Sequence, residues 1–118
     1  MRKKEVVHMF SIYIDDMRTP VDKFDAICRT TNDAVKAVRR KYKEGTRHFF
    51  LDLDHDAGDM TNAHGGDFIN VLKQIDSYVR LGKMKDLDID VHFHSMNPVG
   101  IQNMRDIVQH CDYMSEVW

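Results

Sequence analysis

The stretch Phe49-Phe50-Leu51-Asp52-Leu53-Asp54-His55-Asp56-Ala57-Gly58 constrains this chain more than any other. Its apolar half has the length and character of a buried strand. Its acidic half sets carboxylates at alternate positions, with His55 between the last two and a glycine closing the run. A carboxylate withdrawn from water is costly, so several together imply a cation, a shared proton or good solvation. In an open α/β sheet, ligands bind at the carboxyl ends of the strands. The stretch therefore predicts a strand whose far end carries a polar site.

The rest of the chain supplies that strand with neighbours. Residues 6–14 are rich in β-formers and end at Asp15-Asp16, which predicts a first strand with its acidic end at the same edge. Met17–Phe24 holds Arg18, Pro20 and mixed charge and reads as a loop. Ala26–Arg29 is a short second strand. Thr30, Thr31 or Asn32 can cap a helix over about 32–44, with Ala34, Val35, Val38 and Tyr42 on one face. Arg39, Arg40, Lys41 and Lys43 suit the negative end of its dipole, and Gly45 suits its termination. After the loop Ala57–Gly66, a second helix is predicted over about 66–81 from Phe68, Ile69, Val71, Leu72, Ile75, Tyr78 and Val79. Leu87–His94 alternates apolar and polar residues without a break, the mark of a strand with one wet face. Asn97 as cap and Pro98 at the first position begin a third helix over about 98–110. The tail 113–118 reads as a short fifth strand.

Strands alternating with helices predict an α/β fold with a parallel sheet. A doubly wound sheet of strand order 2-1-3-4-5 needs a helix between its first two strands and another after the last. Neither is evident. Right-handed crossovers place the three remaining helices on one face of the sheet. The polar set Asp88, Asp90, His92 and His94 agrees, because a strand buried on both faces would be apolar throughout. The other face is expected to be polar, to line a ligand or to be covered by a second copy in a homodimer.

A length of 118 residues suits one domain with one core, read here as 1–118. With 42% apolar and 31% charged residues and a net charge of −2, the chain has no general attraction for nucleic acid or anionic membrane, though a local basic patch stays open. Its apolar runs are far too short to span a bilayer, and no signal-type segment follows the basic start. Cys28 and Cys111 lack paired spacing and suit a reducing cytoplasm.

Several constellations bear chemistry. Asp15-Asp16 and Asp52, Asp54 and Asp56 belong to neighbouring strands and converge; hard oxygen donors of this kind suit Mg²⁺ or Mn²⁺. Taken singly, each aspartate is better explained as a strand end facing water; taken together, the converging set favours a site. Ser95 can bond a phosphoryl oxygen, and the helix capped by Asn97 presents a positive end to an anion; capping alone is the plainer account of Asn97. His55 lies within the acidic stretch. His92 and His94 share a strand face, and His94 sits at the site end; an imidazole there can move a proton or hold a metal. Arg18 can clamp a phosphate, or be a surface loop arginine. Gly65-Gly66 forms no GxGxxG or P-loop pattern. A calcium loop starting at Asp52 fails because Ala63 stands where a bidentate glutamate is required. The acidic stretch also looks like the nucleophile strand of haloacid-dehalogenase phosphatases, but their Thr or Val is missing and the chain is short for that fold.

Asp15-Asp16, an aspartate ending the third strand and Ser95 ending the fourth resemble a response-regulator receiver domain. There the carboxylates hold Mg²⁺, the third-strand aspartate takes the phosphoryl group and the Ser or Thr contacts it. No lysine follows the fifth strand here, and the helix after the first strand is replaced by Asp16-Met17-Arg18-Thr19-Pro20. Ile14–Pro20, Leu53–Gly58, Gly66-Asp67 and His94–Gly100 are more similar to the cyclic-phosphate processing receiver-like family. That resemblance implies a reduced receiver-like (flavodoxin-like) parallel sheet of four or five strands, helices mainly on one face, and a role with cyclic phosphates on nucleotides or RNA ends.

The leading expectation is divalent-metal-dependent phosphate processing. Asp15, Asp16, Asp54 and Asp56 would hold the metal, Asp54 with His55 or His94 would act in catalysis, and Arg18, Ser95 and Asn97 would bind phosphate. Alternatives are a receiver module phosphorylated on Asp54 or Asp52, and a non-catalytic nucleotide-binding or dimerising protein.

Overall fold

The structure, a computed structural model, describes residues 9–118; residues 6–8 of the expected first strand lie outside them. The elements follow the alternation of the sequence: β1 (Met9–Ile14), β2 (Ala26–Cys28), α1 (Thr31–Lys43), β3 (His48–Leu53), α2 (Ile69–Arg80), β4 (Asp88–Phe93), α3 (Pro98–Gln109) and β5 (Met114–Glu116). The five strands form one sheet of order β2-β1-β3-β4-β5, parallel throughout. Each crossover from β2 onward carries one helix. Right-handed connections then lay α1, α2 and α3 side by side on a single face, with α2 packed between the other two.

Period-2 alternation decides what each face holds. Ile12 and Ile14, Phe49, Leu51 and Leu53, and Ile89 and Val91 point into the helix layer, where they are fully buried with Val38, Val71, Leu72, Ile75 and Met104. The alternate residues face the other way: Ser11 and Tyr13 from β1, His48, Phe50 and Asp52 from β3, Asp88, Asp90 and His92 from β4. Among the described residues no helix covers this second face. Part of it is closed by the segment between β1 and β2, whose Phe24 ring lies 5.3 Å from Tyr13 and 6.1 Å from Phe50. Asp25 ties that segment down by accepting from the Ser11 amide at 2.8 Å, while its own amide donates to the Ser11 hydroxyl at 3.0 Å.

Helix boundaries follow local chemistry. Thr30 caps α1 by accepting from the Asp33 amide at 3.1 Å. α2 begins at Ile69, later than the apolar stripe predicts. Gly66 stands at φ +76°, and the Asp67 carboxylate accepts from the Ala57 amide at 3.1 Å, so residues 66–68 belong to the site loop.

Candidate functional site

The strand registers build the site. Ile14 is paired with Leu53, and Leu53 with Phe93. The next residue on each strand therefore falls in one row: Asp15, Asp54 and His94. Backbone bonds from Asp54 N to Ile14 O (3.0 Å) and from His94 N to Leu53 O (3.1 Å) carry the ladder into that row.

Asp15 is only 1% exposed. Its Oδ1 accepts from the amides of Met17 and Arg18, each at 2.9 Å, and its Oδ2 lies 2.8 Å from His94 Nε2. His94 Nδ1 lies 2.6 Å from Asp52 Oδ1. Both imidazole nitrogens thus face carboxylates, an arrangement that favours the imidazolium, in which both are donors. Tyr13 stacks on the ring at 4.7 Å between centroids. Burial works to lower the His94 pKa, but the hydrogen bonds it donates to Asp52 and Asp15 outweigh it and hold the pKa above the usual imidazole value. Burial likewise works to raise Asp15, and the Arg18 and Met17 amides together with His94 bring it below the usual carboxylate value. Burial, then the charges of Asp15 and Asp52, push the Tyr13 phenol up.

Arg29 braces the loop that follows. Its guanidinium donates to the carbonyls of Asp15 (3.1 Å) and Arg18, and to the Thr19 hydroxyl at 3.2 Å. The Arg18 side chain itself is exposed and makes no hydrogen bond among the described residues.

A second cluster stands beside the row. His55 Nδ1 lies 3.0 Å from Asp56 Oδ1, while Nε2 has no protein partner among the described residues. The His55 ring rests on the first turn of α3 so closely that a Cβ at Gly100 would come within 2.4 Å of it. Asn97 accepts from Gly100 N at 2.9 Å and places its own amide nitrogen 3.5 Å from Asp56 Oδ2. With Pro98 lacking an N–H and Gly100 capped, Val99 keeps the one open amide among the first three residues of α3. The Ser95 hydroxyl oxygen accepts from Asn97 N at 3.0 Å.

Asp15, Asp54 and His94 can each bring a ligand atom within 4.8 Å of the others, and His55, Asp56 and Asp67 form a second such group. Asp16 and Asp56 lie outside the first group. Asp16 rests against Gly58, where an added Cβ would come within 2.7 Å of its Oδ2; φ there is +64°. A third group, His48 with Asp88 and Asp90, lies at the opposite edge of the sheet. The donor chemistry of the first group suits a divalent cation, on one condition. Asp15 and His94 already bond each other, so an ion taking both must replace that bond and the His94 proton.

Sequence reasoning placed Asp52 among the converging carboxylates and as an alternative phosphoacceptor; the structure joins it to His94. It gave Arg29 and Tyr13 no role and named Asp67 only within the Gly66-Asp67 motif. Strand parity, which puts Tyr13, Asp52 and His94 on one face, was the available signal for two of the contacts.

A parallel 2-1-3-4-5 sheet with carboxylates gathered at the ends of its first and third strands defines a receiver-like domain. The model of the cyclic-phosphate processing receiver domain matches residues 10–110, and the chain belongs to that family. No curated protein and no solved structure gives a significant match. No helix among the described residues is long and apolar enough to cross a membrane.

Proposed function

We propose that this protein processes a phosphate ester at the carboxyl edge of its sheet, and that the substrate class is a cyclic phosphodiester on a nucleotide or RNA end. The observation that carries the reading is the pairing of two features: the Asp15–Asp54–His94 row and, next to it, a His55–Asp56 pair with a free imidazole nitrogen.

The structure supports a division of labour between the histidines that the sequence left open. His94 has both nitrogens engaged by carboxylates and serves to hold Asp52 and Asp15 in place. His55 has Nδ1 oriented by Asp56 and Nε2 free, the arrangement of an imidazole that moves protons. In hydrolysis, the water oxygen forms a new bond to phosphorus and a ring P–O bond breaks. His55 Nε2 delivers the proton that the leaving alkoxide takes up, and Asp54 accepts the one that water gives. Arg18, the Ser95 hydroxyl and the Val99 amide are the groups left free to hold the phosphate oxygens. Asp15 and Asp54, with Asp16 next in sequence to Asp15, would hold Mg²⁺ or Mn²⁺, and His94 would join them only on giving up its proton and its bond to Asp15; such an ion polarises a phosphoryl oxygen or acidifies a bound water.

The test is turnover of a 2′,3′-cyclic mononucleotide with Mg²⁺ or Mn²⁺ by the wild type, Asp54→Asn and His55→Gln. Loss of roughly 10²-fold or more in each variant is expected. A wild type that turns over no cyclic ester under either metal overturns the reading. A second reading, phosphoryl acceptance by Asp54, is supported by its place at the end of the central strand β3 beside Asp15. It predicts a stable adduct from acetyl phosphate that Asp54→Asn cannot form.

A further inference from the structure

A cationic surface lies on α1, away from the acidic edge. Lys36, Arg40 and Lys43 lie four and three apart on one stripe, Arg39 stands beside it, three from Lys36 and four from Lys43, and together the four line a shallow groove of about 340 Å³. Lys36, Arg40 and Lys43 are exposed; none of the four is in an ion pair among the described residues. The Arg39 guanidinium is pre-set, stacked 4.4 Å above the Tyr78 ring with Nη1 3.3 Å from its hydroxyl.

A solvated helix face is the plain alternative. The dipole accounts for cations in the last turn, Arg40 and Lys43. It does not account for Lys36, two turns before the end, and like charges three or four apart cost an isolated helix a few tenths of a kcal/mol per pair. Nor does the stripe suit a membrane. The apolar side of α1 (Ala34, Val35, Val38) is buried against the sheet and has nothing to insert.

The stripe is also aligned with the candidate site. Thr31 Oγ1 donates to Gly66 O at 2.9 Å and Asn32 N to His64 O at 3.0 Å, so α1 starts against the loop that carries Asp67. At about 1.5 Å of rise per residue, Lys36 lies roughly 8 Å and Lys43 roughly 18 Å along the helix from that loop. We propose that this stripe of α1 binds the phosphate backbone of a single-stranded RNA whose 3′ end reaches the acidic edge. RNA as the occupant rests on the function proposed above, because a 2′,3′-cyclic phosphate needs the ribose 2′-hydroxyl.

The test pairs binding with turnover. Fluorescence anisotropy follows a labelled oligoribonucleotide ending in a 2′,3′-cyclic phosphate, for the wild type and for the Lys36→Gln/Arg40→Gln/Lys43→Gln variant. Circular dichroism checks the variant's helix content. Three backbone contacts predict a log–log salt slope of about −2, a roughly twentyfold loss of affinity from 50 to 200 mM salt. The variant should lose most of that slope and bind at least tenfold more weakly at 50 mM, with turnover of the cyclic mononucleotide unchanged. Equal RNA binding by a folded variant, a salt-independent wild type, or binding to phosphatidylserine vesicles without binding to RNA overturns the stripe proposal. Salt-dependent RNA binding that the variant loses, without turnover of any cyclic ester, keeps the stripe and sinks the catalytic reading.

Discussion

His94 Nε2 lies 2.8 Å from Asp15 Oδ2, a bond between residues 79 positions apart that joins the end of β4 to the end of β1 past the intervening β3. With Asp52 on the other nitrogen at 2.6 Å, it makes the edge of the sheet a single charged unit.

Removing the imidazole should therefore cost stability. His94→Ala leaves Asp15, 1% exposed, with two backbone donors as the remaining partners of its carboxylate among the described residues. A loss of about 2–3 kcal/mol is expected, seen as a lower urea midpoint at unchanged slope. A loss below about 0.5 kcal/mol would mean that the bridge adds nothing net over hydration.

The bridge also sets a pH window, best measured in metal-free protein. His94 has a raised pKa, so its contribution is complete below the ordinary imidazole value, about 6.5, and fades as pH rises through the raised value. Asp15 has a lowered pKa, so its contribution is complete above about 3.9 and fades as pH falls through the lowered value. Urea midpoints should fall as pH rises above about 6.5, and Asp52→Asn should flatten that decline. NMR titration of the His94 ring below the ordinary value would contradict the assignment.

Gly100→Ala should separate stability from activity. Alanine in a helix is usually worth about 0.5–1 kcal/mol over glycine. Here its Cβ would meet the His55 ring at 2.4 Å, so the ring must move. Stability within about 1 kcal/mol of wild type and turnover reduced by roughly 10²-fold are expected. Full turnover would show that the position of His55 is immaterial.

Metal binding should release a proton. A cation that takes Asp15, Asp54 and His94 displaces the proton His94 shares with Asp15, because a ligating imidazole must be neutral. Mn²⁺ affinity should then rise with pH, and calorimetry in buffers of different ionisation enthalpy should count about one proton released. Zero protons would put the ion on carboxylates alone, near Asp16 and Asp54.

Most of the fold was legible because it rests on short-range periodicity. The alternation in Leu87–His94 marks a strand with one wet face, and the missing helix between β1 and β2 leaves all three helices on the other side. Boundaries slipped where a side chain overrode the pattern. At residues 66–68, Asp67 bonds Ala57 and Gly66 takes a left-handed conformation, so an apolar stripe that reads as helix becomes loop.

The site was legible in membership and not in pairing. Strand ends announced themselves as Asp15, Asp54 and His94, since polar residues after apolar runs mark where strands leave the core. Which of them touch depends on register, and a one-residue slip sends every side chain to the opposite face. Residue types and spacing determined the α/β class and the acidic edge, and the strand order 2-1-3-4-5 followed from the receiver-like resemblance. Tertiary structure alone decided that His94 is held between Asp52 and Asp15, that His55 Nε2 has no partner among the described residues, and that Asp56 groups with His55 and Asp67. Those outcomes turn on differences of an ångström or two between side chains far apart in sequence, and no local pattern encodes them.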